Sequence, residues 1–212
     1  MKNNCFVCPI TGEELILDID QYTSTSNRKY PIINGIPRFC LDDNYASSFG
    51  IQWNIFDEIQ LDKNSNSDLS FQRFYAETNW NPKSLENEKI LEVGSGAGRF
   101  TEIFLRTANA NLFSIDYSNA VEANLRNNKI YQSRLVLAQA SIYEVPFPDN
   151  FFDKVFCLGV LQHTPNFKQS ISSLILKVKI GGEIVVDFYP IKSIFTKIHS
   201  KYILRPITKR LP

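Results

Sequence analysis

The segment Ile90-Leu91-Glu92-Val93-Gly94-Ser95-Gly96-Ala97-Gly98-Arg99-Phe100-Thr101 is the part of the chain best suited to hold a ligand. An apolar run that ends in glycines and continues into a helix lets backbone approach a ligand closely, and a helix N-terminus favours negative charge. The dinucleotide-binding fingerprint requires glycine or alanine at its sixth position, for close packing of helix on strand. Counted from Gly94 that position is Arg99, so the spacing is GxGxG and not GxGxxG. Glu92, two residues before the first glycine, would oppose a pyrophosphate and suits a cationic or amino-bearing ligand. Asp116 ends the next apolar run, where a carboxylate can accept two hydrogen bonds from a ribose diol.

Two other groups carry titratable chemistry. His163, in Leu158-Gly159-Val160-Leu161-Gln162-His163-Thr164-Pro165, follows a fourth apolar run. Its intrinsic pKa suits a general base, and the competing reading is that it caps or packs the loop. Cys5-x-x-Cys8 is half of a ribbon-type zinc site, which needs four ligands in near-tetrahedral geometry. Cys40 supplies a third, the second CxxC is missing, and Asp18, Asp20 or a water would have to complete the set. The incomplete set favours a ribbon fold without its metal, with zinc as the second reading. Cys157 lies inside a strand pattern and reads as a buried small hydrophobe.

The elements that must position these groups alternate from residue 89 onward. Strands are expected at Lys89–Val93, Leu112–Ile115, Leu135–Ala138, Phe152–Leu158 and Glu183–Phe188. Helices are expected at Phe100–Ala108, Ala120–Asn127 and Lys168–Val178, the last ahead of a Gly181-Gly182 turn. Strands that alternate with helices imply parallel pairing through right-handed crossovers, hence a doubly wound, mainly parallel α/β sheet. Its ligands bind at the carboxyl ends of the strands, where the glycine turn and the loop after Leu158 fall. Upstream, residues 1–44 read as short β segments, with alternation in Glu14–Ile19 and an Asn34-Gly35 turn flanked by prolines. Between Tyr45 and Trp80 a polar stretch studded with aromatics (Phe49, Trp53, Phe56, Phe71, Phe74, Tyr75) fits one or two amphipathic helices, broken by the polar run Lys63–Asp68. The domain boundaries so drawn are 1–44, 45–88 and 89–212.

Composition bounds the function classes. The 212 residues, 43% hydrophobic and 21% charged, are those of a globular chain with a sizeable core. No apolar run approaches the ~18–20 residues that span a bilayer, and the first residues lack the apolar stretch of a secretory signal, so a cytoplasmic protein with reduced cysteines is expected. A net charge of +1 provides no global field for gathering nucleic acid. The end of the chain is locally basic: Lys192, Lys197, Lys201, Arg205, Lys209 and Arg210 follow Phe188 without a carboxylate. Ile191, Ile194, Phe195, Ile198 and Tyr202 would share one helical face, which either packs on the sheet or lies on an anionic membrane surface.

Ile90–Thr101, Ser114–Ser118, Pro146–Asp153 and Gly159–Pro165 together resemble the class I S-adenosylmethionine-dependent methyltransferases, closest to the type-11 group that includes quinone-biosynthesis C-methyltransferases. The resemblance covers roughly residues 45–190. It implies that Gly94, Ser95, Gly96 and Gly98 line the methionine part of the cofactor and that Glu92 meets its amino group. It further implies that Asp116 meets the ribose hydroxyls, that Ser141 and Ile142 flank the adenine, and that Tyr117 and Leu158 also belong to the cofactor-binding set. The family usually has aspartate where Ser141 stands. Arg73-Phe74 resembles the upstream segment that closes over the cofactor, where an arginine pairs with the methionine carboxylate; a solvated helix arginine is the alternative. The Asn/Asp-Pro-Pro-aromatic run of nucleic-acid amino-methyltransferases is missing after the fourth strand, which disfavours that substrate class.

The run Tyr30–Phe39 (YPIINGIPRF) resembles the small zinc-ribbon-like activator subunits of RNA and protein methyltransferases, a module also found fused ahead of methyltransferase domains. The expectation is therefore an enzyme that methylates a small-molecule or lipid-like acceptor, with His163 as base. A non-catalytic methyltransferase-like subunit that binds a protein partner through the ribbon is the first rival, and a nucleotide-dependent oxidoreductase the second. No strand-like pair follows Tyr189, so the last two strands of the class I sheet are expected to be missing.

Overall fold

The computed structural model describes residues 5–41, 44–56, 61–65 and 67–188. Four short strands, β1 (Leu15–Leu17), β2 (Gln21–Ser24), β3 (Lys29–Ile33) and β4 (Ile36–Pro37), form an antiparallel sheet in sequential order. The turn between β3 and β4 is made by Asn34 (φ 54°) and Gly35 (φ 78°). Two successive left-handed residues match the twist of a tight hairpin, which is why Asn-Gly serves there. Three helices follow: α1 (Ser47–Ile55), α2 (Asp62–Ser65) and α3 (Leu69–Thr78). The amphipathic expectation holds for α3, which buries Ser70, Phe74 and Thr78. In α1 only Gly50 is buried, while Ile51 and Ile55 face solvent.

The second half alternates β5 (Lys89–Val93), α4 (Arg99–Thr107), β6 (Asn111–Asp116), α5 (Val121–Asn127), β7 (Leu135–Gln139), β8 (Phe152–Cys157), α6 (Phe167–Lys177) and β9 (Val178–Val186). The strands form one sheet of order β7-β6-β5-β8-β9 with every neighbouring pair parallel. This is the Rossmann-like α/β architecture expected from the alternation. One strand differs from expectation. β9 begins at Val178, directly after α6, and runs through Gly181-Gly182, so the glycine pair is an irregularity within the strand and not a separate turn. The register shifts there, from Phe152 opposite Val178 to Lys154 opposite Glu183, as a bulge does where a strand must bend. The basic stretch from Ile191 and any strands beyond Tyr189 lie outside the described residues.

Both faces of the parallel sheet are covered, as such sheets require. Ile90 and Phe156 join Phe74, Trp80, Phe100 and Phe104 on one face. Leu91, Val93, Phe113 and Phe152 form the other, and the N-terminal residues Phe6, Tyr22, Tyr30 and Phe39 pack into that same core. The Phe6 ring stacks on Phe147 at 5.1 Å between centroids. The N-terminal sheet thus shares a core with the larger sheet.

Cys5, Cys8 and Cys40 do not form a metal-binding group, and among the described residues no cluster of three or more metal-ligating side chains exists. The Cys8 thiol lies 3.1 Å from the Tyr30 hydroxyl, and Cys40 donates to the Tyr117 carbonyl at 3.7 Å. Protein groups occupy both sulfurs, so the ribbon expectation reduces to a small antiparallel sheet. The aromatic cluster performs the cohesive work that a structural metal would otherwise do in so small a unit.

Period-two alternation puts Ile90 and Glu92 on the same face of β5. Glu92 is consequently buried between β5, α4 and α5. It accepts hydrogen bonds from the Thr101 hydroxyl and from the Ser114 hydroxyl at 2.8 Å. Asn124 Nδ2 donates to Thr101 Oγ1 at 2.9 Å, and Asn128 Nδ2 donates to Asn124 Oδ1 at 2.9 Å. Burial raises the Glu92 pKa to about 7, the two hydroxyl donors offsetting only part of the desolvation.

The folded state therefore binds a proton on Glu92 below about pH 7, whereas the unfolded chain does so only near the ordinary value of about 4.5. Between those values the folded state holds more protons, so this group's contribution to stability falls as pH rises and the cost is fully present above about pH 7. Urea denaturation at pH 5 and pH 8 is expected to show a pH-dependent loss that Glu92→Gln reduces, by on the order of 3 kcal/mol at most. An unchanged difference would assign it to other groups.

Candidate functional site

A cavity of about 230 Å³ is lined by the carboxyl ends of β5, β6 and β8 (Val93, Asp116 and Leu158) and by the residues that follow them. β5 is the first strand of the sheet and pairs with β6 on one side and β8 on the other, so the crevice falls where the strand order reverses direction. Of the residues singled out from the sequence, Arg73, Gly94, Ser95, Gly96, Asp116, Tyr117, Ile142, Leu158 and His163 line this cavity. Glu92, Gly98 and Ser141 do not.

Glu92 points into the interior network described above, one residue before the chain turns toward the cavity. Gly98 caps α4 instead, where a Cβ would collide with Asn124 and Asn128. Ser141 is buried and its hydroxyl accepts the Tyr143 N–H at 3.1 Å. In each case the residue belongs to the wall behind the cavity lining, a distinction of side-chain direction that spacing alone does not carry.

The glycine turn is held in shape by Asp116. Its Oδ2 accepts the Gly96 N–H at 2.8 Å, and its Oδ1 accepts the Ser118 N–H at 2.8 Å and the Ser118 hydroxyl at 2.7 Å. A carboxylate offers about four lone-pair sites, so three are already taken and one remains for an incoming hydroxyl. That narrows the sequence expectation of two hydrogen bonds to a diol. Burial raises the Asp116 pKa, against which the Ser118 and Gly96 donors act. Ser95 Oγ, also in the lining, is buried with no hydrogen-bond partner among the described residues.

Gly94 (φ 81°) stands where the loop after β8 crosses the turn, and a Cβ there would collide with the Val160 side chain. Backbone must approach this closely for the two loops to share one cavity. Gly94→Ala is expected to lower the thermal midpoint through both strain and overlap, by about 1–3 kcal/mol in unfolding free energy. It is also expected to weaken any ligand of the turn more than Gly98→Ala does, relative to each variant's loss of stability. Calorimetric unfolding together with ligand titration of the two variants checks this.

Opposite the turn, Arg73 comes from α3. Its Nε donates to Glu77 at 2.7 Å, and Nη2 pairs with Asp187, which follows β9. Burial works against this charge, but Glu77 and Asp187 outweigh it and raise the arginine pKa. Asp187 also accepts the Gly159 N–H, tying α3 to the loop that carries His163. Arg73 is therefore anchored and not freely solvated. The His163 ring lies 5.1 Å from that of Phe49 on α1, and the Tyr117 ring lies 5.0 Å from that of Tyr45. Tyr45, Phe49 and Trp53 complete the lining from the upstream segment. Their role was missed in the sequence; the density of aromatics in an otherwise polar stretch was the available signal.

Residues 91–186 match the model of a family described as a methyltransferase domain. The chain is 29% identical over 105 residues to a tRNA U34 carboxymethyltransferase of Nautilia profundicola, covering 49% of this chain and 35% of that protein. It is 28% identical over 128 residues to the ubiquinone/menaquinone biosynthesis C-methyltransferase UbiE of Vibrio cholerae, covering 58% and 45%. The chain thus spans about a third to a half of the length of the curated relatives it matches. Among solved structures, one described as an S-adenosyl-L-methionine-dependent methyltransferase from Methanococcus maripaludis superposes with a TM-score of 0.55, at 20% identity over 80% of this chain and 78% of that one. The Haemonchus contortus N-methyltransferase 2 crystallised with phosphomonomethylethanolamine and S-adenosylhomocysteine gives 0.51, at 19% identity over 63% and 32%. These structures share the fold.

Proposed function

We propose that the chain is an S-adenosylmethionine-dependent methyltransferase acting on a small-molecule or lipid-like acceptor, with the cofactor in the cavity between the glycine turn and Arg73. The observation that carries this reading is the junction of Gly96 and Asp116: a backbone N–H held by a carboxylate that keeps one acceptor site for a hydroxyl, on a segment matching a methyltransferase domain. The donor set fits such a ligand. Asp116 can take a ribose hydroxyl, Arg73 is placed to face a carboxylate, and Ser95 Oγ has a bond to offer. When bound, S-adenosylmethionine supplies a methyl group on a sulfonium, transferred by in-line displacement in which positioning does most of the work.

The protein's own part is to orient and to exclude water. Tyr45, Phe49 and Trp53 cover the cavity from α1 and its approach. Asp187 holds Arg73 and the loop after β8 in one arrangement through its two oxygens. His163, kept against Phe49, is the imidazole in the lining that can accept a proton from a hydroxyl or an acidic carbon of the acceptor. The cavity is lined on one side by aromatic rings and sits in a chain of net charge +1, which favours a small acceptor over a polyanion. The quinone-biosynthesis name of one relative supports the same class.

Titration calorimetry with S-adenosylhomocysteine tests the cofactor. Micromolar binding is expected, weakened at least tenfold by Asp116→Ala, and no binding at millimolar ligand would overturn the enzyme reading in favour of a non-catalytic subunit. With a panel of hydroquinone and phenol acceptors and labelled cofactor, His163→Ala is expected to leave cofactor affinity intact and slow transfer by about 10²–10⁴-fold. Unaltered transfer would return His163 to a packing role.

A further inference from the structure

The turn that carries Asp116 is fixed from outside the parallel sheet. Residues 38 and 39 run alongside the edge strand β7, where Arg38 forms an isolated parallel bridge with Gln139 and the Phe39 N–H donates to the Gln139 carbonyl at 2.8 Å. Arg38 is 7% exposed. Its Nη2 pairs with Glu122 of α5 and also donates to the Ile33 carbonyl at 3.3 Å. Its Nη1 donates to Gln139 Oε1 at 3.1 Å. The Gln139 side chain, fully buried, passes the contact on: its Nε2 donates to the Tyr117 carbonyl at 3.2 Å.

The same carbonyl receives Asn44 Nδ2 at 3.0 Å and the Cys40 thiol at 3.7 Å. Three donors thus converge on the backbone oxygen between Asp116 and Ser118, and they depend on Arg38, Cys40 and Asn44. The Gln139 amide can do this in one orientation only, since its oxygen must face the guanidinium for its NH₂ to face the carbonyl. Arg38 sets that orientation because a guanidinium has no acceptor.

We infer that Arg38 is a positioning residue for cofactor binding, acting through Gln139 to hold the Asp116–Ser118 turn in the geometry that receives the ribose, so that the N-terminal sheet works as a built-in part of the cofactor site. The inference rests on the proposed cofactor. It goes beyond that proposal in assigning a function to the first 44 residues and to two side chains outside the cavity lining. A planar fork is needed: one arm engages Glu122 while the other engages Gln139, which a single ammonium group cannot reproduce in the same geometry.

The test compares S-adenosylhomocysteine affinity with thermal stability in the full chain. Gln139→Glu keeps the side-chain shape and offers Arg38 a stronger acceptor, but removes the donor to the Tyr117 carbonyl and sets an oxygen against it. Affinity is expected to fall about tenfold or more without a matching loss of thermal midpoint. Arg38→Lys retains the charge toward Glu122, and Arg38→Met retains only the stem. Affinity is expected to fall in the order wild type, Lys, Met, with the partial rescue by lysine separating the relay from simple packing.

If Gln139→Glu does not fold, the arginine series decides alone. Wild-type affinity in all folded variants, or losses that follow stability and nothing else, would overturn the inference. Failure of the wild type itself to bind S-adenosylhomocysteine would instead overturn the proposed cofactor, and Asp116→Ala marks the affinity of a damaged turn for comparison.

Discussion

A carboxylate enclosed by the sheet sets the terms for the rest of this structure. Glu92 is withdrawn from water at the end of the central strand, where an unpaired charge would cost several kcal/mol. The chain answers with hydroxyls from α4 and β6 and with Asn124 of α5, which bonds both hydroxyls and is itself bonded by Asn128 at the end of that helix. Because each partner comes from a different element, the network specifies how α4 and α5 sit on β5 and β6. The glycine turn leaves β5 immediately beyond Glu92, so its direction is inherited from the same constraint. The polar layer and the aromatic layer are complementary. Phe74, Phe104 and Phe156 supply non-directional cohesion, and the Glu92 network supplies the register.

The cavity repeats this logic at its rim. Asp116 is satisfied largely by its own turn, and Asp187 by an arginine and a backbone N–H from two separate elements. Neither carboxylate is a loose surface charge. Each spans two segments that must stay together if one ligand is to touch both, which is the preorganisation that positioning catalysis demands. Upstream, Asn54 Nδ2 donates to the Asn119 carbonyl at 3.0 Å, holding α1 to the loop after β6 although the helix buries little of itself.

The strands and crossover helices were legible because parallel strands buried on both faces read as short continuous apolar runs, and the glycine turn because Gly94 stands where close approach requires it and Gly96 where the backbone is left-handed. Boundaries shifted where local signals conflicted. Gly181-Gly182 reads as a turn, yet pairing with β8 carries the strand through it. The site was legible at the level of segments and less so at the level of side chains. Glu92, Gly98 and Ser141 lie in the right loops and strand ends but face away from the cavity, since the pleat and the helix cap decide direction. Arg38, Gln139 and Asp187 left no local pattern, because the side chains that pair with Arg38 and Asp187 lie 84 to 114 residues away along the chain. The cysteines carry only half of a metal-site spacing, and the fold gives the Cys8 and Cys40 sulfurs protein partners.

The bridge between Arg38 and Gln139 also sets an order of events during synthesis. These residues are separated by 101 positions. At about 5–20 residues per second, roughly 5–20 s pass between the emergence of the N-terminal segment and that of the strand it must join. Throughout that interval Phe6, Tyr22 and Phe39 have no core to enter, since Phe147 and Phe152 are made later still. The segment around Arg38 thus leaves the ribosome well before the strand it joins, and its aromatic side chains wait exposed to chaperones and to neighbouring nascent chains.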